Sequence, residues 1–281
     1  MSDISRLERL LSLLSSRLND LACPLCGAAL CAPEGASLRC TKGHCFDVAR
    51  KGYVNFACAG TLAHYDRALF LARRAVFDAG CYAPVADALR GVLGTEAARL
   101  GRPPRALDAG CGEGYYAAAL ARDGCEVFGV DLSRDAVALA AQRPEPVCWC
   151  VADLTRLPLA PGSIDVVIDV LSPANYASFR RALRPGGLLV KIAPGEDYLR
   201  ELRAALGQGP HAPQDVIDYF GAHMTGVCCE SLRYTCAVDG GLREAFFRMT
   251  PLTGGRTLDA AALASIRDIT IDLRVLTGRF A

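Results

Sequence analysis

The stretch Asp108-Ala109-Gly110-Cys111-Gly112-Glu113-Gly114-Tyr115-Tyr116 decides the reading of this chain. Arg105–Ala109 before it is a short apolar run of strand type, and Gly114–Asp123 carries helical spacing. Glycines at a strand-to-helix turn let a ligand approach the backbone, and the helix N-terminus favours a polar or anionic group. The spacing is G-x-G-x-G, unlike the G-x-G-x-x-G of dinucleotide binders. Asp108 also speaks against a pyrophosphate, which its charge would repel. It suits a cation or an amine.

Outward from this loop, strand-like and helical runs alternate. Cys125–Asp131, Val147–Asp153, Ile164–Leu171 and Gly186–Ile192 read as strands. Ser133–Arg143, capped by Ser133, and Ala174–Leu183 read as helices. Such alternation predicts βαβ units and a doubly wound, mostly parallel α/β sheet. Val227–Ala237 and Ile269–Leu276 read as late strands forming an antiparallel edge pair. Tyr65–Leu100 reads as two helices broken near Gly80 and Pro84.

Three carboxylates then fall at successive strand ends. Asp131 lies 17 residues after Gly114 and suits a ribose diol, and Asp153 in Val-Ala-Asp-Leu154 suits an adenine amino group. With Asp108 for an amine, the set fits S-adenosylmethionine, held by Asp108, Gly110, Gly112, Glu113, Gly114, Asp131, Asp153 and Leu154.

Nearer the N-terminus, Cys23-Pro-Leu-Cys26 is followed by Cys40-Thr-Lys-Gly-His44. Two short knuckles ending in three thiols and an imidazole match a closed tetrahedral Zn²⁺ site of structural type, with Cys45 as the alternative to His44. Gly27 and Gly43 sit where the knuckle turns need permissive backbone. Residues 39–51 hold Arg39, Lys42, Arg50 and Lys51 against Asp47 alone, with Phe46 and Tyr53 interleaved. Cations for phosphate and rings for unstacked bases suit RNA; a solvated charged face over core aromatics is the competing reading.

Composition sets outer limits. With 281 residues, 52% hydrophobic and 22% charged, the chain can bury a sizeable core and is not disordered. A net charge of +1 gives no global basic excess. Arg6, Glu8 and Arg9 interrupt the leucine-rich start, so no clean export signal is visible, and no apolar run is long enough for a membrane span. The chain therefore reads as cytoplasmic and reduced, its 14 cysteines being thiols or metal ligands and not bridges. Ile4, Leu7, Leu10, Leu11, Leu14, Leu18 and Leu21 line one helical face, either docked on its own domain or forming a dimer contact. The expected division is an amphipathic helix (1–22), a zinc module (23–63) and an α/β domain (64–281).

The Asp-x-Gly-x-Gly-x-Gly loop and the strand-end acids resemble class I S-adenosylmethionine-dependent methyltransferases. More narrowly, the chain resembles the bacterial 23S rRNA (guanine-N1) methyltransferases that carry an N-terminal zinc module. The matching motifs are Cys23-Pro-Leu-Cys26, Cys40…His44, Phe46-Asp47, Gly52-Tyr53-Val54-Asn55, Ala72-Arg73-Arg74, Ala79-Gly80 with Tyr82, Pro185-Gly186-Gly187, Pro194-Gly195 and Met249-Thr250-Pro251. The resemblance implies methylation of N1 of a guanine in 23S rRNA, RNA recognition by the zinc module, room for a homodimer, and cofactor contacts from Tyr82 and from Tyr198, where the family usually has His. The chain departs from the family pattern at His64-Tyr-Asp-Arg67, at Asp169 and at Leu171-Ser-Pro-Ala-Asn175, positions on the expected substrate side. Asp169 is the candidate base for the N1 proton, or else a cap for the loop that follows it. Methylation of another RNA or of a small molecule, or an inactive zinc-containing RNA-binding protein, are the alternatives.

Overall fold

A computed structural model describes residues 5–57, 66–253 and 259–280. His64 and Tyr65, part of the departure from the family pattern, and the expected boundary at 63/64 lie outside the described residues. In chain order the elements are α1 (Arg6–Arg17), β1 (Ser37–Arg39), β2 (Cys45–Ala49), β3 (Tyr53–Asn55), α2 (Arg67–Asp78), α3 (Ala83–Leu100), β4 (Arg105–Ala109), α4 (Tyr115–Arg122), β5 (Glu126–Asp131), α5 (Arg134–Ala140), β6 (Val147–Val151), β7 (Ile164–Val170), α6 (Tyr176–Ala182), β8 (Leu183–Pro194), α7 (Arg200–Ala205), α8 (Gln214–His223), β9 (Met224–Ala237), α9 (Gly240–Met249), α10 (Ala260–Ser265) and β10 (Asp268–Phe280). Two compact units result: residues 1–62 with 89–189, and residues 63–88 with 190–281.

The first unit carries its strands in the order β1-β2-β3-β6-β5-β4-β7. β3–β6, β6–β5, β5–β4 and β4–β7 are parallel, while β1–β2 and β2–β3 are antiparallel. The inner strands are mostly apolar, as a sheet covered on both faces requires, with their charged residues near the strand ends; β6, Val-Cys-Trp-Cys-Val, is buried at every position. Chain order reverses on either side of β4, and open α/β sheets bind ligands outside the strand carboxyl ends at such a reversal. The sequence places Asp108, Asp131, Asp153 and Asp169 there.

The N-terminal helix docks on this unit. Ser5 and Glu8 form a reciprocal capping box, and Leu10 and Leu14 are buried. Arg9 donates to the carbonyls of Arg143 and Pro144 at 3.2 and 2.8 Å. Arg17 reaches the Val127 carbonyl at 3.1 Å with its guanidinium over the Phe128 ring. Gly52 faces α1 so closely that a Cβ there would meet the Arg6 Cβ at 3.0 Å.

In the second unit β10 and β9 pair antiparallel over almost their full length, with a register shift between Thr277 and Arg279. This is the expected late pair, extended mainly at one end, where β9 begins at Met224 and β10 runs on to Phe280. Phe70, Val76, Tyr82, Phe246, Ile269, Ile271 and Leu273 are buried in this unit. Gly195 is required by packing: a Cβ there would lie 2.5 Å from the carboxyl of Asp272, which accepts the Asp197 N–H at 2.9 Å. One sequence expectation is corrected here. Cys81 and Cys236 are joined by a disulfide, with Cα atoms 5.5 Å apart across 155 residues of sequence. The turn after α2 and strand β9 are brought together by the fold, and no local spacing announces such a pair.

At the opposite end of the central strands, Asp165 is buried at the start of β7. It accepts two N–H bonds from Arg102 at 2.7 and 3.0 Å and the Arg105 main-chain N–H at 2.7 Å, and it faces Arg184 at 2.9 Å. Burial alone would raise its pKa, but Arg102, the Arg105 N–H and Arg184 outweigh it and hold the carboxyl below its usual value. A depressed carboxylate stabilises the fold above its unfolded pKa, near 4, and loses that contribution as pH falls. Asp165→Asn should cost about 2–3 kcal/mol at pH 7, a figure kept modest because Arg102 is half in water. Urea unfolding from pH 7 to pH 3 checks this: the gap between wild type and variant should shrink with acid.

Candidate functional site

The glycine loop is held by carboxylates. Asp131 accepts the Gly112 N–H at 2.9 Å and the Ser133 N–H at 2.8 Å. Asp108 accepts the Ala117 N–H at 3.1 Å, in the first turn of α4. Gly110 and Cys111 both donate to the Val130 carbonyl. Gly110, Gly112 and Gly114 have φ of 79°, 55° and 85°, a region that side chains disfavour. Space is short as well: a Cβ on Gly110 would sit 2.1 Å from Ser172 Oγ, and one on Gly114 would sit 2.5 Å from the Trp149 ring.

The acids differ in exposure. Asp108 is 1% exposed and Asp169 is fully buried, Asp131 is half-buried and Asp153 is exposed. Asp153 accepts the Thr155 N–H at 2.8 Å, with Leu154 half-buried beside it. Glu113 is buried and ion-paired to Arg143, whose Nε also donates to the Glu113 carbonyl. Burial pushes the Asp108 carboxyl up to about 8, opposed by the Ala117 N–H and reinforced by the negative charges of Asp131, Asp169 and Glu113. At neutral pH Asp108 is therefore mostly protonated until a positive group shares its site.

Tyr82 and Tyr198 belong to the second unit. Their hydroxyls bond to each other at 2.7 Å. Tyr82 is 1% exposed and packs edge-on against Phe77. Neither the tyrosine pair nor the Cys81 bridge beside it could be read as a contact from sequence spacing.

At the cysteine cluster the chain brings Cys23, Cys26, Cys40 and His44 together, one ligand atom from each lying within 4.8 Å of the others. Cys26 Sγ and Cys40 Sγ are 3.9 Å apart, and His44 Nδ1 lies 3.6 and 3.4 Å from the Cys23 and Cys40 sulfurs. Zn–S bonds of ~2.3 Å with tetrahedral angles put sulfurs ~3.8 Å apart, so the donor set fits zinc in chemistry and in size. Gly27 and Gly43 close the two knuckles at φ of 71° and 88°. The Gly27 N–H donates to the Cys23 carbonyl and the Gly43 N–H to the Cys40 carbonyl, both at 2.8 Å. Cys45 is exposed and outside the group.

Arg39, Lys42, Arg50 and Lys51 are all exposed. The interleaved rings are not: Phe46 is 5% and Tyr53 6% exposed, and Phe46 packs on Phe56 at 4.9 Å. Of the two readings left open by the sequence, the rings follow the second: they are core aromatics beneath a charged face. Alternation along β2 turns Phe46 and Val48 inward and Cys45 and Asp47 outward, leaving a cationic surface without exposed rings.

Comparison with known proteins matches both parts of the chain. A family model described as "Methyltransferase domain" covers residues 106–187, and a zinc-ribbon model described as "RlmA, N-terminal" covers residues 21–59. YxjB of Bacillus subtilis (strain 168), provisionally named a 23S rRNA (guanine-N1) methyltransferase, is 34% identical over 91% of this chain and 95% of its own. The 23S rRNA (guanine(748)-N(1))-methyltransferase of Streptomyces fradiae is 34% identical over 90% of this chain and 94% of its own. Among solved structures, the YcgJ protein of Bacillus subtilis aligns at 16% identity and a TM-score of 0.43, over 62% of this chain and 91% of that one. With the zinc ribbon and the methyltransferase domain both matched and the likeness running nearly end to end, the chain belongs to the 23S rRNA (guanine-N1) methyltransferase family.

Proposed function

We propose that this protein methylates N1 of a guanine in 23S rRNA. The observation that carries this reading is the likeness, over about nine-tenths of the chain, to relatives named for that reaction. S-adenosylmethionine supplies the methyl group. Gly110, Gly112 and Gly114 leave the backbone bare for it, Asp108 faces its cationic portion, Asp131 takes the ribose, and Asp153 with Leu154 takes the adenine. Glu113 braces the loop through Arg143, and Tyr82 and Tyr198 are the further cofactor contacts that the family likeness implies. In-line transfer needs mainly proximity and alignment, worth about 7–11 kcal/mol when geometry is favourable. Asp169 is fully buried, so its role in this reading is to hold the loop that follows it and not to take the N1 proton.

Cys23, Cys26, Cys40 and His44 hold a structural Zn²⁺ that folds the N-terminal module. Arg39, Lys42, Arg50 and Lys51 offer their charges to rRNA phosphates. Residues 1–22, 23–63 and 64–281 are then helix extension, RNA-reading module and methyltransferase domain, divided by role. An enzyme of ribosomal RNA works in the cytoplasm. No helix among the described residues is long and apolar enough to cross a membrane.

Gly110→Ala should weaken S-adenosylhomocysteine binding at least tenfold in calorimetry, because the new Cβ meets Ser172 and φ is positive; unchanged affinity would sink the loop assignment. Elemental analysis should find one zinc per chain, lost in the double variant Cys26→Ser, Cys40→Ser. Full zinc retention by that variant removes the ligand set. Mapping of 23S rRNA from cells with and without the gene should show one guanine losing its N1 methyl group, and an identical map overturns the substrate.

A further inference from the structure

Within the second unit, β9 grips the turn that carries Tyr82 at two points. That turn joins α2 to α3 and passes through Gly80, at φ 80°, to Cys81 and Tyr82. The Tyr234 hydroxyl donates to the Cys81 carbonyl at 2.9 Å, and Cys236 is bonded to the Cys81 sulfur. Residues 234 and 236 are two apart on β9, so both side chains leave the same face of the strand. Cys81 is thus held by its main chain and its side chain at once, directly before Tyr82.

The paired strand β10 grips the loop that carries Tyr198. The Thr270 carbonyl accepts the Leu199 N–H at 2.9 Å. The Thr270 N–H and hydroxyl both donate to Glu201, at 2.8 and 2.6 Å. On the other side of Tyr198, Asp272 accepts the Asp197 N–H. In the β9–β10 ladder Thr235 faces Thr270 and Arg233 faces Asp272, and Arg233 also pairs with the Asp197 carboxylate. One short stretch of paired strand therefore supports both tyrosines, whose hydroxyls close the arrangement at 2.7 Å. One of these links is a sulfur–sulfur bond, which a two-electron reductant can open.

We infer that Cys81 and Cys236 form a redox-responsive positioning site, whose bridge sets Tyr82, and through its hydroxyl Tyr198, for the cofactor. This rests on the cofactor role given to the two tyrosines under the function proposed above. In the cytoplasm a bridge is a reversible state more than a permanent staple. Cys236 is half-buried, whereas Cys81 is 3% exposed, so Cys236 offers the sulfur to attack. A thiolate of a dithiol reductant bonds to the Cys236 sulfur, and Cys81 leaves and takes up a proton. The second thiol of the reductant then displaces Cys236, which is protonated in turn. Two electrons and two protons pass to the cysteines, and the dithiol becomes a disulfide. Cys81 keeps its bond from Tyr234 but loses its covalent hold on β9.

The test uses the full-length zinc-loaded protein and S-adenosylhomocysteine in calorimetry, which reports affinity and binding-competent fraction separately. Wild type oxidised with glutathione disulfide should bind. Reduction with dithiothreitol should raise Kd at least fivefold at unchanged stoichiometry, and reoxidation should restore it. The double variant Cys81→Ser, Cys236→Ser should bind like the reduced protein under both conditions, which separates the bridge from the zinc thiols. In Tyr82→Phe, which lacks the hydroxyl link to Tyr198, reduction should change Kd less than twofold. Equal affinity of oxidised and reduced wild type overturns the inference alone, as does a reduction effect that persists in either variant. A fall in stoichiometry at constant Kd also overturns it, leaving the bridge a support of the fold only. Oxidised wild type that fails to bind S-adenosylhomocysteine overturns the cofactor reading and the inference with it.

Discussion

The carboxyl edge of the sheet around the glycine loop depends on two carboxylates tied to backbone N–H groups. Asp131 fixes the glycine loop and the start of α5 at once, and Asp108 fixes the first turn of α4. An ionised Asp108 would be costly, since it is sealed from water and lies near Asp131, Asp169 and Glu113. Four acids around one loop repel one another. The fold tolerates this through protonation of Asp108 and through the Glu113–Arg143 pair. A cation placed there would relieve the rest. The same repulsion that makes the empty site less stable therefore favours a positively charged ligand over a neutral or anionic one.

Much of this was legible in the sequence because it is local. The strand-to-helix glycine loop and each Cys knuckle are short local motifs, the strand-end acids lie within about twenty residues of the loop they hold, and pattern alone places them on one sheet edge or in one cluster. The helix boundaries at Gly80 and the late strand pair followed from periodicity. What the pattern could not show is contact across long separations. Trp149 fills the space of side chains missing from both Gly114 and Gly129, which explains those glycines by packing as much as by ligand access. The Cys81–Cys236 bridge and the Tyr82–Tyr198 bond join residues more than a hundred positions apart. The choice between base-stacking and core roles for Phe46 and Tyr53 needed the structure, because charged neighbours in sequence say nothing about the face a strand turns inward.

Composition likewise hid two arrangements. A net charge of +1 conceals acids gathered at the cofactor edge and exposed cations gathered around the metal cluster. Fourteen cysteines divide by environment: some converge on the ligand group, two form the bridge, and Cys111, Cys125, Cys148 and Cys150 are simply buried. Desolvation raises the pKa of Cys125 to about 11 and that of Cys111 well above its usual value, which keeps these thiols neutral and unreactive.

The ribbon that carries the metal cluster is no appendage. β2, which begins immediately after His44, pairs with β3, and β3 pairs in parallel with β6 at Val54–Cys150 and Asn55–Val151. The Phe56 N–H continues the ladder to the Val151 carbonyl at 2.8 Å. Two residues beyond Val151 is Asp153, at the cofactor edge. The ligand cluster and the end of β6 are thus linked by continuous main-chain hydrogen bonding, which has little freedom to flex. Three-residue strands such as β1 and β3 cannot hold register alone, so the order of β3 rests on β6 from one side and on β2, which leads out of the Cys/His cluster, from the other. In the proposed reading, metal binding and cofactor binding draw on one folding unit. Loss of either ligand set should loosen the strand that the other depends on, even though no residue belongs to both.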